Sequence, residues 1–447
     1  INKSSTSVAS KAFTKPAVAL TRSSYSTNSK YLGGKNSTRK FQHLNVAKKT
    51  EESKSIRDFI RREIEVKSEQ LNHSSMFSVV TVCHKNSDTS HPLVMFQNRD
   101  GYRYFFGKVP EGTQRIINQN KLRLLKMEGL FLTGTIKSWS EIGGLPGLFL
   151  TITDATKKGI DLFTSSSKIM SFVVATWRYF VFRKGAQIGI FNTDGDKLID
   201  CKSFNVKPIQ IQSSIQAQEL DENKVASLLR PLRKLTSSMF PLDTSKVNSM
   251  DPESYKSDPS EGDIHTHVKL PKLAELDDVQ SQPSVSYLIR PLPIRGRFDA
   301  VAAKNLKIER GAKYRELSIG NPVYNTEGTL IQPEQVIGPS KSFKKLLIID
   351  IPDRSYYQNT VNNESFFQKS EELGEEEIGL VYHFIGDDID LDLNEYSKFI
   401  SKFPADCFHV LSHRTLSDNT LSFHTFALNT LMLKSIQNNQ FNLPHTD

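Results

Sequence analysis

Two possible metal ligands, His265 and His267, are separated by a single residue, Thr266. This His-x-His spacing is that of half a zinc motif. Zinc binds imidazole, thiolate and carboxylate groups, and a catalytic ion keeps one coordination position open. The pair lies in a stretch rich in Ser, Asp and Pro, and no Asp-His follows it. We therefore predict a solvated loop here. A hydrolase that uses His265 and His267 is an alternative, which zinc analysis of the purified protein would test.

Other possible ligands are scattered along the chain. Asp350 and Asp353 end one apolar run, and His409 and His413 lie in and after another. Two catalytic zinc ions need several imidazoles and carboxylates that converge on one pocket. His383 is flanked by large apolar residues, which indicates a core histidine. We predict no catalytic and no metal-binding residue in this chain.

A basic stretch offers a different chemistry. Between residues 295 and 315, only Asp299 and Glu309 are acidic, whereas seven residues are basic. Basic side chains on a glycine-bounded projection suit phosphate contacts that position RNA without reading its sequence. An ordinary solvated basic helix is the alternative. The predicted RNA-binding residues are Arg295, Arg297, Lys304, Lys307, Arg310, Lys313 and Arg315.

Apolar patterning indicates the elements that would position these residues. Tyr102, Tyr104 and Phe106 alternate as in a half-buried strand, and residues 129–133 form a second apolar strand before a polar loop. Residues 143–147 then lead into an apolar helix. Helical spacing predicts another helix from Ser167 to about Phe182, with Trp177 in the core. The last predicted helix, from about 422 to 437, buries Phe423, Phe426, Leu428, Leu431, Leu433 and Ile436.

Two stretches have the composition of disordered segments. Residues 1–50 contain ten Lys or Arg, no acidic residue and many Ser and Thr, which is typical of a mitochondrial transit peptide. A generic basic tail is the alternative. Residues 1–75 are predicted to be largely disordered apart from one helix, and residues 243–282 to be a disordered insertion. Because the sequence begins with Ile, we expect the true start to lie upstream, with a second start at Met76.

Composition narrows the class of protein further. The 447 residues carry a formal net charge of +9, which suits a polyanionic partner. Three widely spaced cysteines argue against a disulfide framework and fit a reducing compartment. No window approaches 18 unbroken apolar residues, so no transmembrane helix and no membrane partner is predicted.

Four short strings resemble one known family. They are EGTQR (111–115), FLT (131–133), GLPG (144–147) and TWRYFVFR (176–183). Together they resemble tRNase Z of the metallo-β-lactamase superfamily, and specifically the amino-terminal, non-catalytic half of its long form. In that family a zinc motif, HxHxDH, lies between FLT and GLPG. Here the loop 134–142 contains no histidine, and roughly in the place of the ligands stand Ser138, Ser140 and Glu141.

The resemblance covers roughly residues 76–444 and implies both a fold and a function. The implied fold is α/β, a degenerate metallo-β-lactamase αββα sandwich, with a projecting RNA-binding arm over 293–339. The implied function is tRNA 3′-end processing, in which this half binds precursor tRNA while a carboxy-terminal half of the same polypeptide supplies zinc and catalysis. No cofactor is expected in this segment itself, and the resemblance implies that a relic zinc ligand would lie at His409 or His413.

The resemblance also implies a location and leaves one alternative. We expect the mitochondrial matrix, with a nuclear form that starts at Met76. The alternative function is a stand-alone, inactive lactamase-fold scaffold of an RNA 3′-end processing complex. The downstream reading frame separates the two, because a continuation with HxHxDH favours the first.

Overall fold

The computed structural model describes residues 77–441 except 157–158, 184–185, 194–196, 218–219, 241–267, 369–372, 392, 418–420 and 438–439. The predicted basic tail, Met76, His265 and His267 therefore lie outside the described residues. Within the described part, no helix combines the length and the apolar character that a bilayer span requires.

Strands in the described part form two six-stranded sheets and one small hairpin. The first sheet has the order β1-β2-β3-β4-β5-β6, with β1 (Phe77–Cys83), β2 (Leu93–Asn98), β3 (Arg103–Gly107), β4 (Met127–Leu132), β5 (Ile160–Thr164) and β6 (Ile188–Asn192). The second has the order β14-β13-β12-β9-β8-β7, with β7 (Ile199–Asp200), β8 (Phe204–Ile211), β9 (Ser284–Pro291), β12 (Lys345–Ile351), β13 (Ile378–Ile385) and β14 (Phe408–Ser412). The hairpin pairs β10 (Val323–Tyr324) with β11 (Leu330–Ile331).

Helices connect the strands, as parallel pairs such as β3–β4 and β4–β5 require. In chain order they are α1 (Thr113–Gln119), α2 (Leu145–Thr156), α3 (Ser167–Thr176), α4 (Glu222–Met239), α5 (Ala300–Asn305), α6 (Ala312–Ile319), α7 (Arg354–Val361), α8 (Leu393–Ile400), α9 (Arg414–Ser417) and α10 (His424–Ile436).

The two large sheets pack face to face around an aromatic core. Phe131 stacks between Phe106 and Phe163, with ring centroids 4.6 and 4.4 Å away. From the opposite sheet, the Tyr287 hydroxyl donates to the Leu132 carbonyl at 3.0 Å. Helices α1 to α4 cover the outer face of the first sheet, and α7 and α8 cover that of the second. The layers follow the expected αββα order.

This layering corrects the prediction that β3 is half-buried. Phe105 faces the helices and Phe106 faces the other sheet, and both are fully buried. A strand in the middle of a layered sheet has no solvent face, so alternation in its sequence does not indicate exposure.

Two further predictions need correction. The helix from Ser167 ends at Thr176 and gives way to a 3₁₀ turn, Trp177–Tyr179, so only Trp177 of that turn is buried. Part of the predicted disordered insertion, 268–282, is folded, because Leu276 lies in the core and the Gln282 amide bonds the backbone of Ile136. Its remainder, up to residue 267, lies outside the described residues.

The carboxy-terminal helix differs most from its prediction. Helix α10 begins where expected, but its large apolar side chains are exposed rather than buried, because only a narrow face of it, near Ala427 and Thr430, meets the domain. The exposed residues include Phe426, Leu428, Leu431, Leu433 and Ile436.

Residues 294–341 form a separate small unit, which we call the arm. Backbone bridges Ile294–Lys341 and Phe298–Ile337 hold its base together. Its core contains Ala303, Ile308, Leu317, Val323, Ile331 and Val336, and shares none of them with the three sandwich cores. Asp299 caps α5, since its carboxylate accepts from the backbone of Val301 and Ala302. Gly311 immediately precedes α6 and has a φ of 110°.

Candidate RNA interface and a buried ion-pair cluster

The loop after β4 begins with a close backbone approach between the two sheets. Gly134 exchanges two backbone hydrogen bonds with Val285 of β9, at 2.8 and 3.1 Å. Its φ is 66°, and a Cβ built there would lie 2.7 Å from the Asp350 carboxylate. Only glycine fits this position without strain. The loop is therefore held tightly against the end of β12.

A buried ion pair lies under the loop 134–142, the loop that the resemblance aligned with the family's zinc motif. Lys108 Nζ lies 2.6 Å from Glu141 Oε1, and both side chains are almost fully buried. Glu141 Oε2 accepts from the backbone of Lys137 and Ser138 at 2.6 and 2.9 Å. Both carboxylate oxygens are thus occupied by donors. The hydroxyls of Ser138 and Ser140, the other two residues near the ligand positions, lie at the exposed surface and contact one another.

Asp350 joins this cluster from β12. Its Oδ2 accepts from the Thr133 hydroxyl at 2.6 Å. Burial raises the pKa of Asp350, while the nearby Lys108 ammonium opposes that rise. For Lys108, burial lowers the pKa, but Glu141 and Asp350 outweigh burial and hold that pKa above its ordinary value. The lysine therefore carries a fixed positive charge among these carboxylates.

A second pair closes the rim of the cluster. Lys137 Nζ lies 2.6 Å from Asp353 Oδ2, and the other Asp353 oxygen caps α7 by accepting from the Ser355 backbone at 2.9 Å. Partial burial raises the pKa of Asp353, but the bonds from Lys137 and Ser355 outweigh it and the net shift is downward. We call Lys108, Thr133, Lys137, Glu141, Asp350 and Asp353 the buried ion-pair cluster.

The residues present do not fit a dinuclear zinc centre. Among the described residues, no three or more His, Cys, Asp or Glu side chains are grouped so as to hold a metal ion. In the cluster, each carboxylate already accepts from a lysine or a hydroxyl, and a charged ammonium stands beside them. A cation would meet electrostatic repulsion there and would have to displace these donors.

The candidate relic histidines bond elsewhere. His383 donates to or accepts from Tyr396 at 2.8 Å and His409 at 2.9 Å, and burial lowers its pKa to about 3. This confirms the prediction of a core histidine. His409 uses Nδ1 for that contact, and His413 uses Nδ1 for the Thr415 hydroxyl at 2.8 Å. Burial lowers the pKa of His409 and His413 as well.

The arm sorts the seven predicted RNA-binding residues into two groups. Arg295 donates to the carbonyls of Ser318, at 3.2 Å, and Ile319, and so caps the end of α6. Lys307 pairs with Glu327, and Lys313 with Glu309 at 3.1 Å. These three cations have internal partners. The other four are exposed and have no side-chain partner among the described residues: Arg297, Lys304, Arg310 and Arg315.

Sequence reasoning missed Lys108 altogether. Its partner Glu141 lies 33 residues away along the chain. The available signal was the position of Lys108 directly after the buried strand β3, where a charged residue needs a partner to be buried.

Comparison with known proteins finds several similar sequences and structures. A sequence family described as tRNase Z endonuclease matches residues 80–144. Ribonuclease Z from Saccharomyces cerevisiae is 36% identical over 381 residues, which are 83% of this chain and 42% of the relative. The protein called "Ribonuclease Z, mitochondrial" from Drosophila melanogaster is 25% identical over 66% of this chain and 29% of the relative. The crystal structure of a long form RNase Z from yeast matches with a TM-score of 0.59 and 32% identity, over 83% of this chain and 41% of that chain.

The fold and these matches support the metallo-β-lactamase class for this chain. Within that class they support the ribonuclease Z family, as the sequence analysis expected. The chain spans less than half the length of the relatives just described.

Proposed function

We propose that this chain is a non-catalytic lactamase-fold half of a tRNA 3′-processing endonuclease, which binds precursor tRNA through its arm. The carrying observation is the buried ion-pair cluster, in which the Lys108 ammonium pairs with Glu141 and stands beside Asp350, where a zinc ion would need free carboxylates. Zinc and hydrolysis belong, in this proposal, to a separate catalytic half of the same polypeptide. The ribonuclease Z relatives support the substrate class.

The arm's unpaired cations support the RNA contact. Arg297, Lys304, Arg310 and Arg315 each present a charge that no described carboxylate neutralises. An exposed unpaired cation can displace counterions from a phosphate backbone, which is the main source of affinity that does not depend on sequence. Arg adds two-donor phosphate geometry. The proposed RNA contact therefore consists of these four residues, and the three internally paired ones shape the arm.

The exposed apolar side chains of α10 support a contact with the catalytic half. Leu431 and Ile436 are 52% and 82% exposed, and a row of large apolar side chains in water is typical of a protein interface. A mitochondrial location is part of the same proposal, supported by the mitochondrial name of the Drosophila relative.

A charge-matched pair of variants tests the arm. In the longest available form of the protein, Lys304→Gln with Arg310→Gln should weaken precursor tRNA binding and lower the slope of log affinity against log salt by roughly 0.7–0.9 for each phosphate that is no longer neutralised. Lys307→Gln with Lys313→Gln removes the same charge from internally paired sites and should change that slope less. Equal slopes for the two variants would refute the assignment of the RNA-binding residues.

A second experiment tests the non-catalytic assignment. The chain on its own, supplied with zinc, should bind but not cleave precursor tRNA. Cleavage by this chain, with zinc bound in stoichiometric amount, would disprove the proposal regardless of the arm result.

A further inference from the structure

The turn after α3 exposes three large aromatic side chains in close succession. Tyr179 is 66%, Phe180 62% and Phe182 43% exposed. Trp177, which precedes them, and Val181, which lies between the last two, are buried. Exposed aromatic rings in a row are uncommon on a soluble domain and usually mark a binding surface. None of them belongs to the arm or to the buried ion-pair cluster.

The turn is held rigidly from both sides. The Arg178 guanidinium donates to the Val268 carbonyl at 2.6 Å and lies 4.8 Å from the centre of the Tyr179 ring. On the other side, the Arg183 backbone donates to Met239 at 3.0 Å, and the Arg183 side chain pairs with Asp154 at 2.9 Å. The exposed rings are thus presented on a fixed backbone, which lowers the entropy cost of binding through them.

Helix α4, whose end meets this turn, supplies positive charge. Its core face is apolar and includes Leu229, Leu232 and Met239. Its exposed flank carries Arg230, Arg233 and Lys234, at the i, i+3, i+4 spacing that places side chains together on one side. These three have no ion-pair partner in the part of the chain that the structure describes, whereas Lys224 on the same helix lies 3.9 Å from Glu275.

Lys234 and the aromatic turn lie near the same end of α4, and Arg233 and Arg230 follow along that helix. The backbone bond from Arg183 ties the turn to Met239, five residues beyond Lys234, and five helical residues span about 7.5 Å. We call Tyr179, Phe180, Phe182, Arg230, Arg233 and Lys234 the aromatic–basic surface.

We propose that the aromatic–basic surface binds single-stranded RNA, with bases stacked on the rings and phosphates held by the cations. Rings with an exposed face beside cations of one sign are the combination that binds single strands without reading sequence. Paired RNA keeps its bases stacked on one another, so an aromatic platform favours unpaired nucleotides. If the proposed function holds, the natural ligand is an unpaired leader or trailer of the tRNA precursor.

The probe is a fluorescein-labelled 15-nucleotide single-stranded RNA of mixed sequence, measured by anisotropy on the full chain. Tyr179→Ala with Phe180→Ala should weaken its binding by roughly fivefold or more for each base that no longer stacks. Phe191→Ala, which removes an exposed ring from the edge strand β6, is the control and should leave the affinity unchanged. Circular dichroism should show wild-type secondary structure for each variant, which separates loss of stacking from loss of fold.

The charges have their own readout. Arg230→Gln, Arg233→Gln and Lys234→Gln together should flatten the salt dependence of single-strand binding by roughly 0.7 for each phosphate that is no longer neutralised. The arm variant Lys304→Gln with Arg310→Gln should change single-strand binding less than this triple variant does, and precursor tRNA binding more. Failure of the arm assignment and failure of this proposal are therefore separate results.

Unchanged single-strand affinity in the folded Tyr179, Phe180 double variant would overturn the proposal. A change in sedimentation coefficient with unchanged RNA affinity would do the same, because it would identify the surface as a protein contact. Loss of single-strand affinity with intact binding of a tail-less RNA hairpin is the result that supports it.

Discussion

The buried ion-pair cluster and the arm both carry several cations, but they differ in where the compensating charge comes from. In the cluster, Lys108 and Lys137 each lie 2.6 Å from a carboxylate of the same chain. In the arm, Arg297 and Arg310 have no such partner among the described residues. A buried charge must be neutralised within the fold, whereas an exposed charge is solvated by water and remains available to a ligand. The number of charges in a region therefore matters less than whether each charge is already satisfied.

The largest expected effect comes from breaking the cluster. Lys108→Met leaves the Glu141 carboxylate buried without its counter-charge, so the free energy of unfolding should fall by about 3–5 kcal/mol. Urea denaturation monitored by intrinsic fluorescence measures this change in the free energy of unfolding. The double variant Lys108→Met with Glu141→Gln should recover part of the loss, since the amide oxygen can still accept from the backbone of Lys137 and Ser138. A single variant as stable as the wild type would contradict the role given to Lys108.

An intermediate effect is expected from acid, because the interior also holds a neutral histidine. The folded pKa of His383 is about 3, below the ordinary value of 6.5, so the unfolded chain binds a proton that the folded chain does not between these two pH values. Stability should therefore fall as pH falls from 6.5 towards 3, by about 1.4 kcal/mol per pH unit from this residue.

A variant isolates the histidine in that pH series. His91 has a pKa lowered to about 2 by burial and nearby lysines, so it contributes a slope of the same sign. His383→Asn should reduce the slope of unfolding free energy against pH by about one proton between pH 3.5 and 6. An unaltered slope would show that His383 is protonated in the folded protein.

The smallest effect on stability is expected in the arm. It tests the division of the basic arm residues into internally paired and unpartnered ones. Arg295→Gln removes charge-assisted bonds to the end of α6 and should destabilise the arm by about 1 kcal/mol. Hydrogen exchange at residues 312–320 measures this, because the effect is confined to one helix. The matched variant Arg297→Gln removes an unpartnered cation and should leave exchange as it is. Equal exchange in both variants would contradict the division.

Local sequence patterns predicted those features that depend on neighbouring residues. The strand that ends before Gly134 and the absence of histidine from 134–142 both follow from short stretches of chain. The αββα order came from the resemblance, because strings such as EGTQR and GLPG carry information about a family that periodicity alone does not.

Features that depend on distant partners could not be predicted in this way. The pairing of Lys108 with Glu141, and of Lys307 with Glu327, joins residues 33 and 20 positions apart. The apolar pattern of α10 marks a helix face but does not say whether anything packs against it, so exposure of Leu431 and Ile436 came as a correction. The sequence shows which charged or apolar side chains need a partner when buried. Only the fold shows which of these side chains have a partner.

The position of Lys108 has a further consequence for the charge balance of the buried ion-pair cluster. A metal centre must be loaded after synthesis and can be emptied by a chelator, so its charge varies with supply. The Lys108 ammonium is covalently part of the polypeptide, so it is present as soon as the chain is synthesised. The charge balance of this pocket is therefore complete once the domain folds, and it stays the same in metal-rich and metal-starved cells.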